Sequence, residues 1–165
     1  MKVTYYLEVT SSWCFWAEPM WAELKRRYAG RAEFAWKIAQ MKASDYPVSR
    51  AQCDWFYRRS GMVMRSPFML SSGWFEGPIA EGAIVAPNLV AEAARDFGFD
   101  GDEIRLALSH AGEREGAKTL RMEVAVAIAA KAGGKKLNVK KLRARAESPQ
   151  VRARVEASTQ EFFAH

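Results

Sequence analysis

Four consecutive residues, Ser11-Ser12-Trp13-Cys14, carry the side chains of this 165-residue chain best suited to chemistry. They follow a strand-like run from Lys2 to Val9 and open a helix, so Cys14 falls in that helix's first turn. Free amides and the positive dipole end of a helix N-terminus stabilise a thiolate or another anion held there. Two chemistries follow. Cys14, as a thiolate, would exchange with a thiol or a disulfide. Alternatively, the Ser11 hydroxyl and the same amides would hold an anionic group of a ligand. Without that context Ser11 is an ordinary N-cap and Cys14 an ordinary buried helix residue. Trp13 precedes the helix and is the tryptophan expected to be exposed. With Ser12 it is expected to touch substrate, whereas Trp21 and Trp36 read as core.

Other constellations are poorer. Cys53 lies far downstream in a predicted helix and reads as an apolar core residue, so a two-cysteine oxidase cycle is not available. His110 and His165 are the only histidines, at no zinc-ligand spacing, and no metal is expected. There is no glycine-rich phosphate loop, and Ser71-Ser72-Gly73 does not follow a strand as a nucleophile elbow would. Met62, Met64 and Met69 read as gap-filling core methionines, with an adaptable groove as the alternative.

The elements that must position these residues are legible from periodicity. Val3, Tyr5, Leu7 and Val9 alternate, predicting a strand over 2–9. Trp21, Leu24 and Tyr28 predict a helix over 15–28, with Pro19 as a kink or the mark of its true first turn. Phe34, Trp36 and Ile38 share one face of a second strand over 33–38. Strand, helix and strand in this order form a right-handed βαβ unit with parallel strands, assigned to residues 1–41. Residues 42–165 read as a helical unit. Helices are predicted from Ser49 to Arg59, from Pro87 to Gly98, from a capping-box start at Asp100 and Glu103, and over 117–132. Two more are capped by Asn138, with Leu137 and Leu142 as a staple, and by Ser148 before Pro149. Residues 60–86, punctuated by glycine and proline, read as a long loop. Two parallel strands do not make a sheet that stands alone. Further strands are therefore expected beyond His165 or from outside the chain, a homodimer being one source.

Hydrophobic content of 49% and a charged fraction of 27% describe an ordinary globular chain and exclude disorder. Two cysteines exclude a disulfide scaffold. The N-terminus lacks the apolar core of a signal peptide and no run reaches transmembrane length, so a cytoplasmic setting without a membrane partner is expected. The net charge of +6 is uneven: Arg114 to Arg154 holds twelve Lys or Arg against three Glu, about +9 by counting. These residues alternate with apolar ones at helical spacing, which reads as solvated helix faces rather than a nucleic-acid surface.

The strand, Ser11-Ser12-Trp13-Cys14-Phe15, Pro19, the second strand and the helical region together resemble the DsbA-like branch of the thioredoxin superfamily. That branch includes FrnE-type oxidoreductases, kappa-class glutathione transferases and 2-hydroxychromene-2-carboxylate isomerases. In the oxidoreductases the site resembles Cys-Pro-Trp-Cys-Tyr, which Trp13-Cys14-Phe15 matches in its second half, with Ser11 in place of the attacking cysteine. In the transferase and isomerase branch it resembles Ser-Pro-Tyr-Ser-Trp, whose first serine holds the sulfur of glutathione and is matched by Ser11. Pro19, five positions after Cys14, favours placing Cys14 second rather than first in the motif. No counterpart of the family's cis-proline loop is found.

The resemblance implies an α/β fold: a thioredoxin-like βαβ start, a large all-helical insertion, and C-terminal strands lying outside this sequence. It implies a thiol oxidoreductase with a degenerate Ser-Ser-Trp-Cys site and Cys14 as a monothiol. A glutathione-dependent transferase or isomerase using Ser11 is the second reading, and a binding module without chemistry the third. No cofactor is required, glutathione is the co-substrate the resemblance admits, and a small thiol or protein thiol is the expected partner.

Overall fold

The alternation Val3-Tyr5-Leu7 becomes β1 (Lys2–Leu7), and Phe34-Trp36-Ile38 becomes one face of β2 (Glu33–Ile38). In the computed structural model, which describes residues 1–165, the strands pair in parallel, Tyr5 opposite Trp36 and Leu7 opposite Ile38. Residues paired across parallel strands point the same way, so all six form one apolar face. The crossover between the strands is α1 (Ser12–Arg27), whose buried Trp21 packs on that face with ring centroids 5.1 Å from Tyr5 and 5.4 Å from Phe34. The opposite face meets α7 (Pro149–Phe163), where Glu161 accepts hydrogen bonds from the Tyr6 hydroxyl at 2.6 Å and Lys37 at 2.5 Å. Helices thus cover both faces of a sheet too small to persist uncovered.

Between β2 and α7 lie α2 (Arg50–Val63), α3 (Ala86–Ala94), α4 (Glu103–Glu113), α5 (Met122–Gly133) and α6 (Val139–Ala146). A core of 20 buried residues joins Leu7, Val9, Trp36 and Ile38 of the strand region to side chains of α3 through α7. α3 is its axis, buried at all nine positions and opened by Pro87 in its first turn. Asn138 and Ser148 cap α6 and α7 as the sequence predicts, with Leu137 and Leu142 both buried.

Several boundaries differ from the sequence reading: β1 ends at Leu7 rather than Val9, where the chain leaves the sheet for the loop held by Glu8 and Asn88. α1 begins at Ser12 because Ser11 is its N-cap. α2 continues to Val63: Ser60 and Gly61 are buried, and Ser60 Oγ accepts from Trp16 Nε1 at 3.2 Å, so tertiary contact carries the helix through a glycine. α4 begins after Asp102 rather than Asp100, and the Asp102 carboxylate binds Arg105 and Lys25 instead of capping. α5 begins at Met122, with 117–121 in turns. Met62, Met64 and Met69 are exposed, contrary to the core reading.

Helix α1 is tied to α4 by ion pairs. Arg105, only 2% exposed, donates to both Glu18 oxygens at 2.5 and 3.0 Å and to Asp102 at 2.7 Å. Lys25 completes the group on Asp102. Within the basic stretch, Arg121 pairs with Glu76, Arg145 with Asp96, and Arg154 with Glu92 and Asp96. That stretch therefore directs arginines onto acids elsewhere in the chain. No helix is long and apolar enough to cross a membrane.

Candidate functional site

The segment from β1 to α1 is held rigidly. Glu8, 3% exposed, accepts from Thr10 N at 3.2 Å, Thr10 Oγ1 at 2.9 Å, Met41 N at 3.3 Å and Asn88 Nδ2 at 2.7 Å. Asn88 Oδ1 in turn accepts from Val9 N at 3.1 Å. The loop is so fastened both to the segment after β2 and to α3. Burial pushes the Glu8 carboxyl above its ordinary range, the donated hydrogen bonds opposing that rise.

From this anchor the chain turns into α1. Ser11 is extended (φ −87°, ψ 121°), and its Oγ accepts from Cys14 N at 3.4 Å. The amides of Ser12 and Trp13 make no hydrogen bond within the chain, and the first turn holds no acidic residue. A concentrated positive dipole end thus faces outward beside the Ser11 hydroxyl. That hydroxyl accepts from the cap amide and still has its own proton to donate, shared here with the Cys14 thiol.

Ser11, Ser12 and Trp13 are brought together on the wall of a pocket of about 130 Å³. Tyr46, Pro47, Phe56, Tyr57 and Trp74 supply its apolar surface, and Arg59 stands at the Trp13 side. The Arg59 guanidinium lies 5.9 Å from the Trp13 ring and 5.6 Å from that of Trp55. Trp13 is 44% exposed, as expected, although it lies in the first turn of α1 rather than in a loop before it.

Cys14 does not line this pocket. Its side chain packs against the main core, and its carbonyl accepts from the Tyr5 hydroxyl at 3.3 Å. Burial pushes its thiol up, outweighing the hydrogen bonds from the Glu8 backbone, then Ser11 and Tyr5, that favour the thiolate. Desolvation therefore wins over the helix start at this position. Cys53 is fully buried as read, yet it reaches the pocket wall, where burial and the nearby Glu113 carboxyl push its thiol up to about 12. The two cysteines are free. No group of three or more His, Cys, Asp or Glu is placed to hold a metal ion.

Tyr57, Trp74, Arg59, Glu8 and Asn88 were not singled out from the sequence. Arg59 and Tyr57 lie on a helix recognised by its period, which says nothing of the pocket its face borders. Trp74 sits in a short 3-10 turn inside the stretch read as a loop. Glu8 carried no signal either: the alternation puts it on the face opposite Val3, Tyr5 and Leu7, and only the structure shows it buried.

No protein-family model matches the sequence, and no curated protein matches it. Solved structures do. A candidate protein disulfide isomerase from Nitrosomonas europaea superposes with a TM-score of 0.70 at 16% identity, over 97% of this chain and 76% of that one. The cytosolic disulfide reductase DsbM from Pseudomonas aeruginosa superposes at 0.74 with 18% identity, over 99% of this chain and 78% of that one. The structure of DsbM with GSH gives 0.70 and 17%, over 99% and 80%. At these identities the shared property is the fold. The chain shares the fold of these disulfide isomerase and reductase structures, which accords with the βαβ start and helical insertion that the resemblance implied.

Proposed function

We propose that this chain carries out glutathione-dependent thiol chemistry, with Ser11 holding the sulfur of the bound thiol and Cys14 buttressing the helix start from behind. One observation carries the reading: Ser11, Ser12 and Trp13 line the pocket, and Cys14 does not. The Ser11 hydroxyl, its lone pair engaged by the cap, turns its proton from the Cys14 thiol to the sulfur of the bound ligand. The unpaired Ser12 and Trp13 amides and the dipole end lower the pKa of that sulfur. Thiol oxidoreductase relatives support the class of chemistry, and the DsbM structure with GSH supports glutathione as the small thiol. A cytoplasmic setting, where glutathione is abundant and thiols stay reduced, accords with both. Cys14 as a monothiol in disulfide exchange is the competing reading, supported by the reductase among the structural relatives. It requires a raised thiol, turned to the core, to become the nucleophile.

Calorimetric titration with reduced glutathione separates the readings. Ser11→Ala is expected to weaken binding about 10- to 100-fold, the loss of one hydrogen bond to a charged sulfur. Cys14→Ala is expected to change it less than about threefold. Binding that survives Ser11→Ala but is lost in Cys14→Ala assigns the site to Cys14. No saturable binding in the folded wild-type chain leaves a module without this chemistry.

A further inference from the structure

Helix α2 carries apolar residues on the face that ought to be polar. Cys53, Tyr57, Ser60 and Gly61 recur at helical spacing and are buried against the rest of the molecule. On the opposite face Trp55, Met62 and Val63 are 53%, 73% and 61% exposed, with Arg58 and Arg59 exposed between them. A surface helix ordinarily presents charged and polar residues there. This outer face runs into the site. The Arg59 guanidinium lies over both Trp55 and Trp13, and Trp13 and Arg59 border the pocket beside Ser11. At the other end, the exposed Met69 brings its sulfur within 3.8 Å of where a side chain on Gly61 would begin.

The charges of the face have no partner in the chain. Arg105, Arg121, Arg145 and Arg154 all reach carboxylates, whereas Arg58, Arg59 and, just beyond the helix, Arg65 take part in no ion pair. Arg58 donates only to the backbone carbonyl of Asp54, at 3.3 Å, and Asp54 is the one acid of α2. Asp45 borders the pocket but pairs with neither arginine. A second copy of this chain, set on the face by a two-fold axis, would oppose arginine to arginine, so the face is not its own complement. A guanidinium over an indole ring keeps its N–H donors for a partner, and their fork matches a carboxylate. Methionines adapt to apolar side chains of varied shape. From Trp55 to Val63 the face extends about 12 Å, the reach of about four residues of extended chain.

We propose that the outer face of α2, together with Trp13, docks an extended polypeptide segment bearing both carboxylates and large apolar side chains, and presents it at the mouth of the pocket. The inference goes beyond the reading of Ser11 and does not rest on it: the surface alone carries it, and its test is binding with no thiol present.

The probes are three cysteine-free peptides of about a dozen residues, sharing their leucines and differing in having glutamate, lysine or serine between them. Calorimetric titration is expected to show saturable binding of the glutamate peptide, at least about tenfold tighter than the other two and weakening as salt is raised. Arg58→Gln with Arg59→Gln is expected to weaken it about tenfold, and Trp55→Ala with Met62→Ser by a similar factor. Arg31→Gln, which removes another arginine without a carboxylate past the far end of α1, is expected to change it less than twofold. All these residues are exposed, and circular dichroism confirms that each variant keeps the fold. Equal affinity for the three peptides, or no loss in the double arginine variant, overturns the proposal. So does binding to vesicles containing phosphatidylserine without binding to the glutamate peptide, which gives the face to a membrane. A dimer in sedimentation equilibrium that Met62→Ser dissociates gives it to a second copy and overturns the proposal equally.

Discussion

Arg105 fixes how the site helix lies on the rest of the molecule, and its removal has a calculable cost. The guanidinium is 2% exposed and bonds both oxygens of Glu18 on α1, at 2.5 and 3.0 Å, while also donating to Asp102. Arg105→Met keeps the volume and removes the charge. Asp102 retains Lys25, but Glu18, with a side chain only 16% exposed, is left without a cation. Breaking a buried pair from one side costs about 3–5 kcal/mol, mostly the penalty of the stranded charge. With a urea m-value of about 2 kcal/mol/M for a chain of this size, the unfolding midpoint should fall by about 1.5–2.5 M.

The double variant Arg105→Met with Glu18→Leu tests the reasoning as well as the number. If the stranded Glu18 carboxylate is the main cost, removing it should recover more than half of the lost stability. Urea unfolding followed by circular dichroism measures both variants. A single-variant loss below about 1 kcal/mol, or a double variant no better than the single, refutes the argument that charge burial dominates here. Acid adds a check of sign. Burial pushes the Asp102 carboxyl up, but Lys25 and Arg105 outweigh it and hold it below its ordinary range. Its folded-state pKa is therefore depressed, and its stabilisation is present above the unfolded value of about 3.9. That contribution is lost as pH falls through the folded value, and the loss should shrink in Arg105→Met.

Two further tests concern the site itself. In a Cys53→Ser background, iodoacetamide should alkylate Cys14 with an apparent pKa above the ordinary value of about 8.5, because burial raises the thiol; a lower value would show the helix start to be the stronger influence. Ser11→Cys restores a Cys-x-x-Cys pair with Cys14 in second place, and it should form an internal disulfide and reduce insulin. Ala17→Cys, the pair required by the other register, should do neither, and the reverse result would reassign Cys14 to the first position.

What a single local pattern determines is legible in the sequence. The alternation at Val3-Tyr5-Leu7, the run at Phe34-Trp36-Ile38 and the caps at Asn138 and Ser148 depend on neighbours within a few residues, and all appear in the structure. Ser11 is an N-cap for the same reason. The pocket could not be read, because it is assembled from α1, α2, the 41–47 segment and the turn holding Trp74, whose mutual placement is tertiary. The end of α2 is hidden for a related reason: Gly61 reads as a stop, and only the contact of Ser60 with Trp16 shows why the helix continues. The methionines failed differently. Met62 and Met69 are apolar residues on a surface, and apolar type alone does not report burial.

The same helix start treats Ser11 and Cys14 oppositely, and this bears on which residue can act. Both lie within one turn of the N-terminus and feel nearly the same dipole. Ser11, as N-cap, precedes the first turn and borders the pocket; Cys14 is three residues on, rotated towards Tyr5 and the core. A dipole favours charge only where the surroundings still permit it, and burial at Cys14 withdraws that permission. A sulfur supplied from the pocket side and held at Ser11 receives the dipole without the desolvation that raises Cys14. Replacing a cysteine by serine at the first position therefore need not extinguish thiol chemistry. On the proposed reading the reactive sulfur is then the ligand's, held where the helix start still stabilises a thiolate.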